Sequence, residues 1–421
     1  MTITSEALSA PGRKTIGGSF SGRHNGLNLI RLVLATLVLV DHAFGLGGWS
    51  LGSLNLTNVG SISVYGFFGI SGFLIAGSAV RNRPGRYLWQ RFLRIFPGLW
   101  VCLAVTGFLF GIVAYVHTPL AHCGLSCYFS APNGPFSYVY RNALLPNAHL
   151  YQFTIAGTPR KVPEPGIWDG SLWTLFYEFL CYLILVAFAR AGFLRRRVVT
   201  LAATVVLWGA IFVITLHRSF DSAFSLFKHA EAMNLMKFAA IFLVGAVIYL
   251  YREVVPDSGW IALACGIGYL ASLYLPNGGS PHFPHNPVYF FTASDLFTPL
   301  VAYPLLWLGI HLPPVLQKIG ARNDYSYGVY IYAYPATQIL AVFGVQRWGI
   351  APFVILSVIL TAPLAVGSWW LVEKRALSLK RVEAAGLSGA LRHSPRGPHA
   401  ATSEDTVLTP GSVHLPPEVA D

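Results

Sequence analysis

Arg31 and His42 stand eleven residues apart inside the first long apolar stretch of the chain, residues 27–46. Eleven residues at 100° each return to within about 20° of the starting direction, so on a helix both side chains share one face, about 16 Å apart. A neutral imidazole can accept a proton from a hydroxyl near pH 7, and a guanidinium can hold an anionic group. Such groups are costly inside a membrane and therefore indicate a functional site. A structural pair that satisfies carbonyls or pins helices is the alternative.

A polar stripe opens another apolar stretch, residues 170–190. Polar residues recur there at i, i+3, i+7 and i+11, namely Ser171, Thr174, Glu178 and Tyr182. Glu178 has no adjacent cation in sequence, so its burial would demand a partner in space. We expect His42 or Arg31 to be that partner. A lone structural carboxylate is the alternative.

A basic segment, residues 81–94, ends in Arg91-Phe92-Leu93-Arg94. Arg91 and Arg94 form an i, i+3 pair on one helix face, and guanidinium groups are suited to phosphate. Aromatic residues interleave with this pair, which favours a binding site. The tendency of Lys and Arg to lie on the cytoplasmic side of membrane proteins explains the remaining arginines well, and it could explain this pair too.

Glycine and serine are concentrated in the second apolar stretch, where Phe67 to Phe73 reads FFGISGF and includes Ser71. Small residues let the backbone of another helix approach closely. On physical grounds alone, the favoured interpretation of this segment is helix packing.

Composition identifies an integral membrane protein. The chain has 421 residues, of which 54% are hydrophobic and 11% charged, whereas a soluble domain carries about 25% charged residues. We therefore predict an all-α membrane protein with about ten transmembrane helices. The predicted spans are residues 27–46, 59–80, 95–116, 170–190, 197–216, 234–251, 258–275, 290–311, 325–345 and 350–372.

The distribution of positive charge sets the predicted orientation. Twenty-one Lys and Arg residues fall on one side of these spans and seven on the other, which places both termini in the cytoplasm. Residues 1–26 are then a cytoplasmic segment, 27–376 a ten-span membrane domain, and 377–421 a polar cytoplasmic tail that we expect to be disordered. The long outer loop, 117–169, is a candidate lid or acceptor-binding element.

Several classes of site have no support in the sequence. It contains no glycine-rich phosphate loop, no Gly-x-Ser-x-Gly turn and no nucleic-acid motif, and topology explains the basic excess. We expect no metal, and neither a disulfide between Cys123 and Cys127 nor a zinc site beside them. A multi-pass transporter or proton-coupled carrier is the alternative function, although no internal repeat is evident.

Taken together, these motifs resemble the acyltransferase-3 family of multi-pass membrane O-acyltransferases. The resemblance covers about residues 24–376 and the ten-span architecture. The motifs that carry it are Arg31-x10-His42, Phe67 to Phe73, Arg91-x-x-Arg94, Ser171-Leu-Trp173-Thr-Leu-x-x-Glu178 and Ser326-Tyr-x-x-Tyr330. Many members carry a histidine where this chain has Ala333, a departure that places more of the catalytic burden on His42.

The resemblance implies an enzyme of the plasma membrane that moves a short acyl group, most often acetyl, from acyl-CoA to a hydroxyl of a sugar-containing acceptor. His42, Arg31 and Glu178 would be catalytic, and Arg91, Arg94 and Arg31 would bind the donor. Ser71, Trp173, Ser326 and Tyr330 would contact substrate or support the site. Acyl-CoA would be a substrate, with no tightly bound cofactor, and neither the acceptor nor the oligomeric state follows from the sequence.

Overall fold

The computed structural model describes residues 14–22, 25–49, 59–147, 149–216, 230–275 and 293–380. This part of the chain is helical and contains no β-strand, as expected. Its ten principal helices are α1 (Leu27–Leu46), α2 (Val59–Arg81), α3 (Pro84–Val105), α4 (Trp173–Arg190), α5 (Arg197–Leu216), α6 (Ala230–Leu250), α7 (Gly259–Ser272), α8 (Pro299–His311), α9 (Ser326–Val342) and α10 (Ile350–Ser368). Most of the predicted tail, from residue 381, lies outside the described residues.

Seven of the described helices are long and apolar enough to cross a membrane, which makes this a membrane protein. They include α3, which continues through a π turn to Val116, and α10, which continues through a second π turn (Trp369–Glu373) to Ser378. The helices α7 and α8 are shorter, with 14 and 13 residues. In the predicted eighth span, Asp295 lies in a separate 3-10 turn, and α8 begins only at Pro299.

The predicted spans leave residues 81–94 as a basic loop between them, and this predicted loop is too long. The structure turns between α2 and α3 at residues 82–83, and α3 begins at Pro84. Proline is favoured at the first position of a helix because its missing N–H has no partner to lose there. Arg91 and Arg94 are therefore the eighth and eleventh residues of a long helix, on its third and fourth turns.

Helices α2 and α6 pack backbone against backbone, as the packing interpretation of residues 67–73 predicted. A Cβ atom on Gly72 would lie 1.9 Å from the carbonyl oxygen of Phe242, and one on Gly245 would lie 2.0 Å from that of Gly69. Both contacts are impossible for any other residue type, so glycine is required at each point.

The long segment predicted to be the outer loop, residues 117–169 and called the outer segment below, is folded in its described part. It contains a 3-10 turn and two short helices, Leu125–Ser130 and Pro135–Asn142, and its described residues after these are mostly turns and bends up to α4. Trp168 is fully buried, and its Nε1 donates a hydrogen bond to Thr158 at 3.0 Å. A disulfide joins Cys123 to Cys127, so the expectation that these cysteines remain unpaired was wrong.

The α2–α6 contact predicts the effect of adding one methyl group. Gly72→Ala should destabilise the protein by about 2–4 kcal/mol, because the carbonyl of Phe242 cannot move without moving α6. Gly209→Ala in α5 meets nothing within 4 Å and should be neutral or slightly stabilising. Unfolding of the two purified variants in detergent tests this, and equal stabilities would contradict it.

Candidate functional site

A cavity of about 100 Å³ collects most of the predicted site residues. It lies among α1, α2, α3, α4 and α9. The predicted residues that line it are Arg31, Ser71, Arg91, Arg94, Glu178, Ser326 and Tyr330. Residues up to 299 positions apart in sequence thus share one space, whereas His42 and Trp173 do not line it.

An ion network contributes two arginines, Arg31 and Arg94, to the cavity wall. One carboxylate oxygen of Asp324, Oδ2, accepts hydrogen bonds from Arg31 and from Arg94, each at 2.6 Å. Arg94 also lies 3.5 Å from Glu373 on the π turn after α10. The other oxygen of Asp324 accepts from the backbone N–H and hydroxyl of Ser326, at 3.2 and 2.5 Å. The network therefore ties α1, α3 and α10 to the start of α9.

The charge of Asp324 is maintained by these partners. Burial alone would raise the pKa of its carboxyl, but the two guanidinium groups and the Ser326 hydrogen bonds outweigh burial and hold that pKa below its usual range. Asp324 therefore stays ionised at any physiological pH. Sequence reasoning missed it, although an aspartate two residues before a helix is a recognisable capping signal.

Glu178 has a different partner from the one expected. Its carboxylate accepts a hydrogen bond from the hydroxyl of Tyr182, one turn along the same helix. Thr174 bonds the hydroxyl of Tyr330, which also donates to the carbonyl of Ser171 at 3.1 Å. The polar stripe of α4 thus faces the cavity. Arg31 forms its ion pair with Asp324 rather than with Glu178, because the start of α9 lies nearer to it.

Arg91 is held by aromatic rings. Its guanidinium carbon lies 5.9 Å from the ring centre of Tyr87 and 5.8 Å from that of Tyr182. Its Nε is buried and has no hydrogen-bond partner. Rings attract a cation but do not neutralise it, so Arg91 presents a full positive charge to the cavity.

His42 lies outside the cavity and contacts Tyr334 of α9, with ring centres 5.0 Å apart. A contact chain leads from there to the cavity, because Tyr330 lies one turn earlier on α9 and its ring centre is 5.8 Å from that of Phe67. Arg31 in turn lies 5.8 Å from the centre of the Phe67 ring. The two residues of the first motif are therefore linked through aromatic rings and make no direct contact.

Trp173 has a packing role in this structure. Its ring packs against those of Tyr177 and Phe238, with centres 5.7 and 5.9 Å away. It fixes α4 against α6 and lies behind the residues that line the cavity.

Asp169 is a second buried carboxyl that sequence reasoning missed. Its Oδ1 accepts hydrogen bonds from the N–H and the hydroxyl of Ser171, at 2.9 and 2.7 Å, and so orders the chain before α4. Burial raises the pKa of Asp169 to about 7, although the bonds from Ser171 and Leu172 act in the opposite direction. The signal available in the sequence was the position of this carboxyl, two residues before the polar stripe that begins at Ser171.

The chain has recognisable relatives. The model of the acyltransferase-3 family, described as an acyltransferase domain, matches residues 24–372. An O-acetyl transferase of Shigella phage Sf6 is 30% identical over 372 residues, covering 85% of this chain and 97% of the relative. Nodulation protein 10 of Rhizobium leguminosarum bv. viciae is 27% identical over 386 residues, covering 86% and 95%. No solved structure matches significantly.

The ion network predicts a large effect of one isosteric change. Asp324→Asn removes the carboxylate that two largely buried arginines share, and should cost about 3–5 kcal/mol of unfolding free energy. Glu253→Gln is the control, because Glu253 is exposed and pairs with Arg252 at the surface. This change should alter the unfolding free energy by less than about 0.5 kcal/mol. Denaturation of both variants in detergent measures the difference, and an Asp324→Asn variant as stable as wild type would refute the assigned role.

Proposed function

Because the chain belongs to the acyltransferase-3 family and is an acyltransferase, we propose that it transfers a short acyl group, most simply acetyl, from acyl-CoA to a hydroxyl of a sugar-containing acceptor at the plasma membrane. The name of the Shigella phage relative supports acetyl as the group. The structural observation that carries the proposal is the distance between the two parts of the site. A cationic cavity and an imidazole lie at opposite ends of one helix, about 16 Å apart.

This spacing suits a long donor. Acyl-CoA carries phosphates at one end and the reacting thioester at the other, joined by an extended arm. Guanidinium groups in the cavity would hold the phosphate end, and the arm would run along α1 past Phe67 and Tyr330. The thioester would then reach the level of His42, so one molecule would use both parts of the site.

His42 would act as the general base. Its imidazole would take the proton from the acceptor hydroxyl while that oxygen attacks the thioester carbonyl carbon. Collapse of the tetrahedral intermediate would form the ester and break the C–S bond, and the leaving CoA thiolate would take the proton from the imidazolium of His42, which restores the base. Tyr334, whose ring lies edge-on to the imidazole, would fix the orientation of His42.

We also propose that all ten principal helices cross the membrane, with both termini in the cytoplasm. In that arrangement alternate helix ends lie on the same side, and described contacts agree with it. Asn28 at the start of α1 donates to the carbonyl of Gly320, just before α9, at 2.8 Å. Gln338 near the end of α9 donates to the carbonyl of Ile167 in the outer segment, at 2.9 Å.

The removal of His42 tests the proposed mechanism. His42→Ala should abolish acyl transfer, with a loss of at least about 100-fold, because no other base replaces the imidazole. The protein should still insert in the membrane and bind acetyl-CoA. His122→Ala, an exposed histidine of the outer segment, is the matched control and should keep full activity. Transfer of radiolabelled acetyl from acetyl-CoA to a panel of sugar acceptors is the measurement, and an active His42→Ala variant would disprove the role.

The proposed orientation has an independent test. Disulfides persist in oxidising compartments, so the Cys123–Cys127 bridge favours an external position for the segment after α3. Alkaline phosphatase fused after Leu125 should therefore be active in a bacterial host, and the same fusion after Glu253 should be inactive. Activity after Glu253 but not after Leu125 would reverse the topology.

A further inference from the structure

Within the described residues, two cations near this ion network form no ion pair: Arg91, which lines the cavity, and Lys380, which follows the last helix. Neither Arg91 nor Lys380 has a carboxylate oxygen within 4.0 Å, whereas Arg31 and Arg94 share Asp324 and Arg94 also meets Glu373. The cluster therefore carries excess positive charge on one side, and that charge is partly withdrawn from water. Such an arrangement is unfavourable unless an anion binds there.

Lys380 reaches this position because of the direction of the helix that precedes it. The short helix Lys374–Ser378 follows the π turn after α10 and packs on α3. Glu373 lies level with Arg94. Seven helical residues advance about 10 Å and return to within about 20° of the same face, which brings Lys380 past Arg94 toward the first turns of α3.

The electrostatics of Lys380 agree with this placement. Burial, together with the neighbouring charges of Arg91 and Arg94, lowers the pKa of Lys380 to about 8. A carboxylate partner would act in the opposite direction. The ammonium group is therefore still largely protonated at pH 7.

The two arginines of the Arg-x-x-Arg motif differ in whether they have a carboxylate partner. Arg94 is bound by Asp324 and Glu373 and lies 5.4 Å from the ring centre of Tyr327. Arg91 has only the faces of two tyrosine rings. Arg94 is therefore already neutralised and positions α3 against α9, while Arg91 is available to an anion.

We propose that Arg91 and Lys380 together bind one phosphate group and that, on the proposed function, this phosphate belongs to the CoA end of the donor. A guanidinium supplies two parallel N–H donors to phosphate oxygens, and an ammonium supplies a compact charge that can approach from another side. Lys380 is thus a donor-binding residue beyond the sequence motifs, on the segment that follows the last membrane helix.

The test uses the full-length protein in detergent and two donors. Lys380→Gln and Arg91→Gln should each raise the Kd for acetyl-CoA about tenfold or more, the usual cost of a charged hydrogen bond. The rate of transfer from acetyl-CoA relative to that from S-acetyl-pantetheine, which lacks these phosphates, should fall about tenfold at low donor concentration. Lys374→Gln is the matched control, because Lys374 lies on the same short helix but packs over the ring of Trp370, 3.6 Å from its centre, and it should bind acetyl-CoA normally.

The outcomes separate this proposal from the proposed function. If Lys380→Gln binds acetyl-CoA as wild type does, or loses both donors equally, the phosphate role is refuted. If the wild type neither binds nor uses acetyl-CoA, the proposed function fails. Stabilisation of the wild type by short-chain phosphatidylglycerol that is lost in Lys380→Gln, with acetyl-CoA binding unaffected, would assign the phosphate to a lipid headgroup and overturn the assignment to CoA.

Discussion

One carboxylate, that of Asp324, holds three helices together beside the cavity. It accepts from Arg31 of α1 and Arg94 of α3, and its second oxygen caps the start of α9. Two arginines in an apolar bundle would be prohibitively costly without it, because each would lose water and gain no counter-charge. The positions of three helices, and with them the cavity wall, depend on this shared partner.

Helix α9 carries that constraint through the molecule. One of its faces presents Tyr327, Tyr330, Tyr334 and Gln338, at i, i+3, i+7 and i+11. Tyr327 contacts Arg94, and Tyr330 lines the cavity and bonds Thr174 of α4. Tyr334 contacts His42, and Gln338 donates to carbonyls of the outer segment. A single buried stripe thus aligns the cavity, His42 and the outer segment. A displacement of α9 would disturb all three at once.

The charge balance of the cavity explains how a strongly cationic site can be stable and still attract an anion. Part of the positive charge is neutralised internally, by Asp324 and Glu373, and contributes to the fold. The rest is held by aromatic rings and by partial exposure, which tolerate a cation without removing its charge. Internal neutralisation of every cation would leave no affinity for an anion, and neutralisation of none would leave the bundle unstable.

The sequence by itself determined the all-helical membrane class, the helix that carries Arg31 and His42, and the faces on which Arg91, Arg94 and Glu178 lie, because hydrophobic content and the 3.6-residue period are local properties. Seven of the nine predicted site residues line one cavity for that reason. Only the tertiary structure decided which faces meet. Asp324 pairs with residues 230 and 293 positions away, and the residues read as a basic loop proved to be the start of a helix. Periodicity orients a side chain about its own helix axis, but the partner is set by how helices pack.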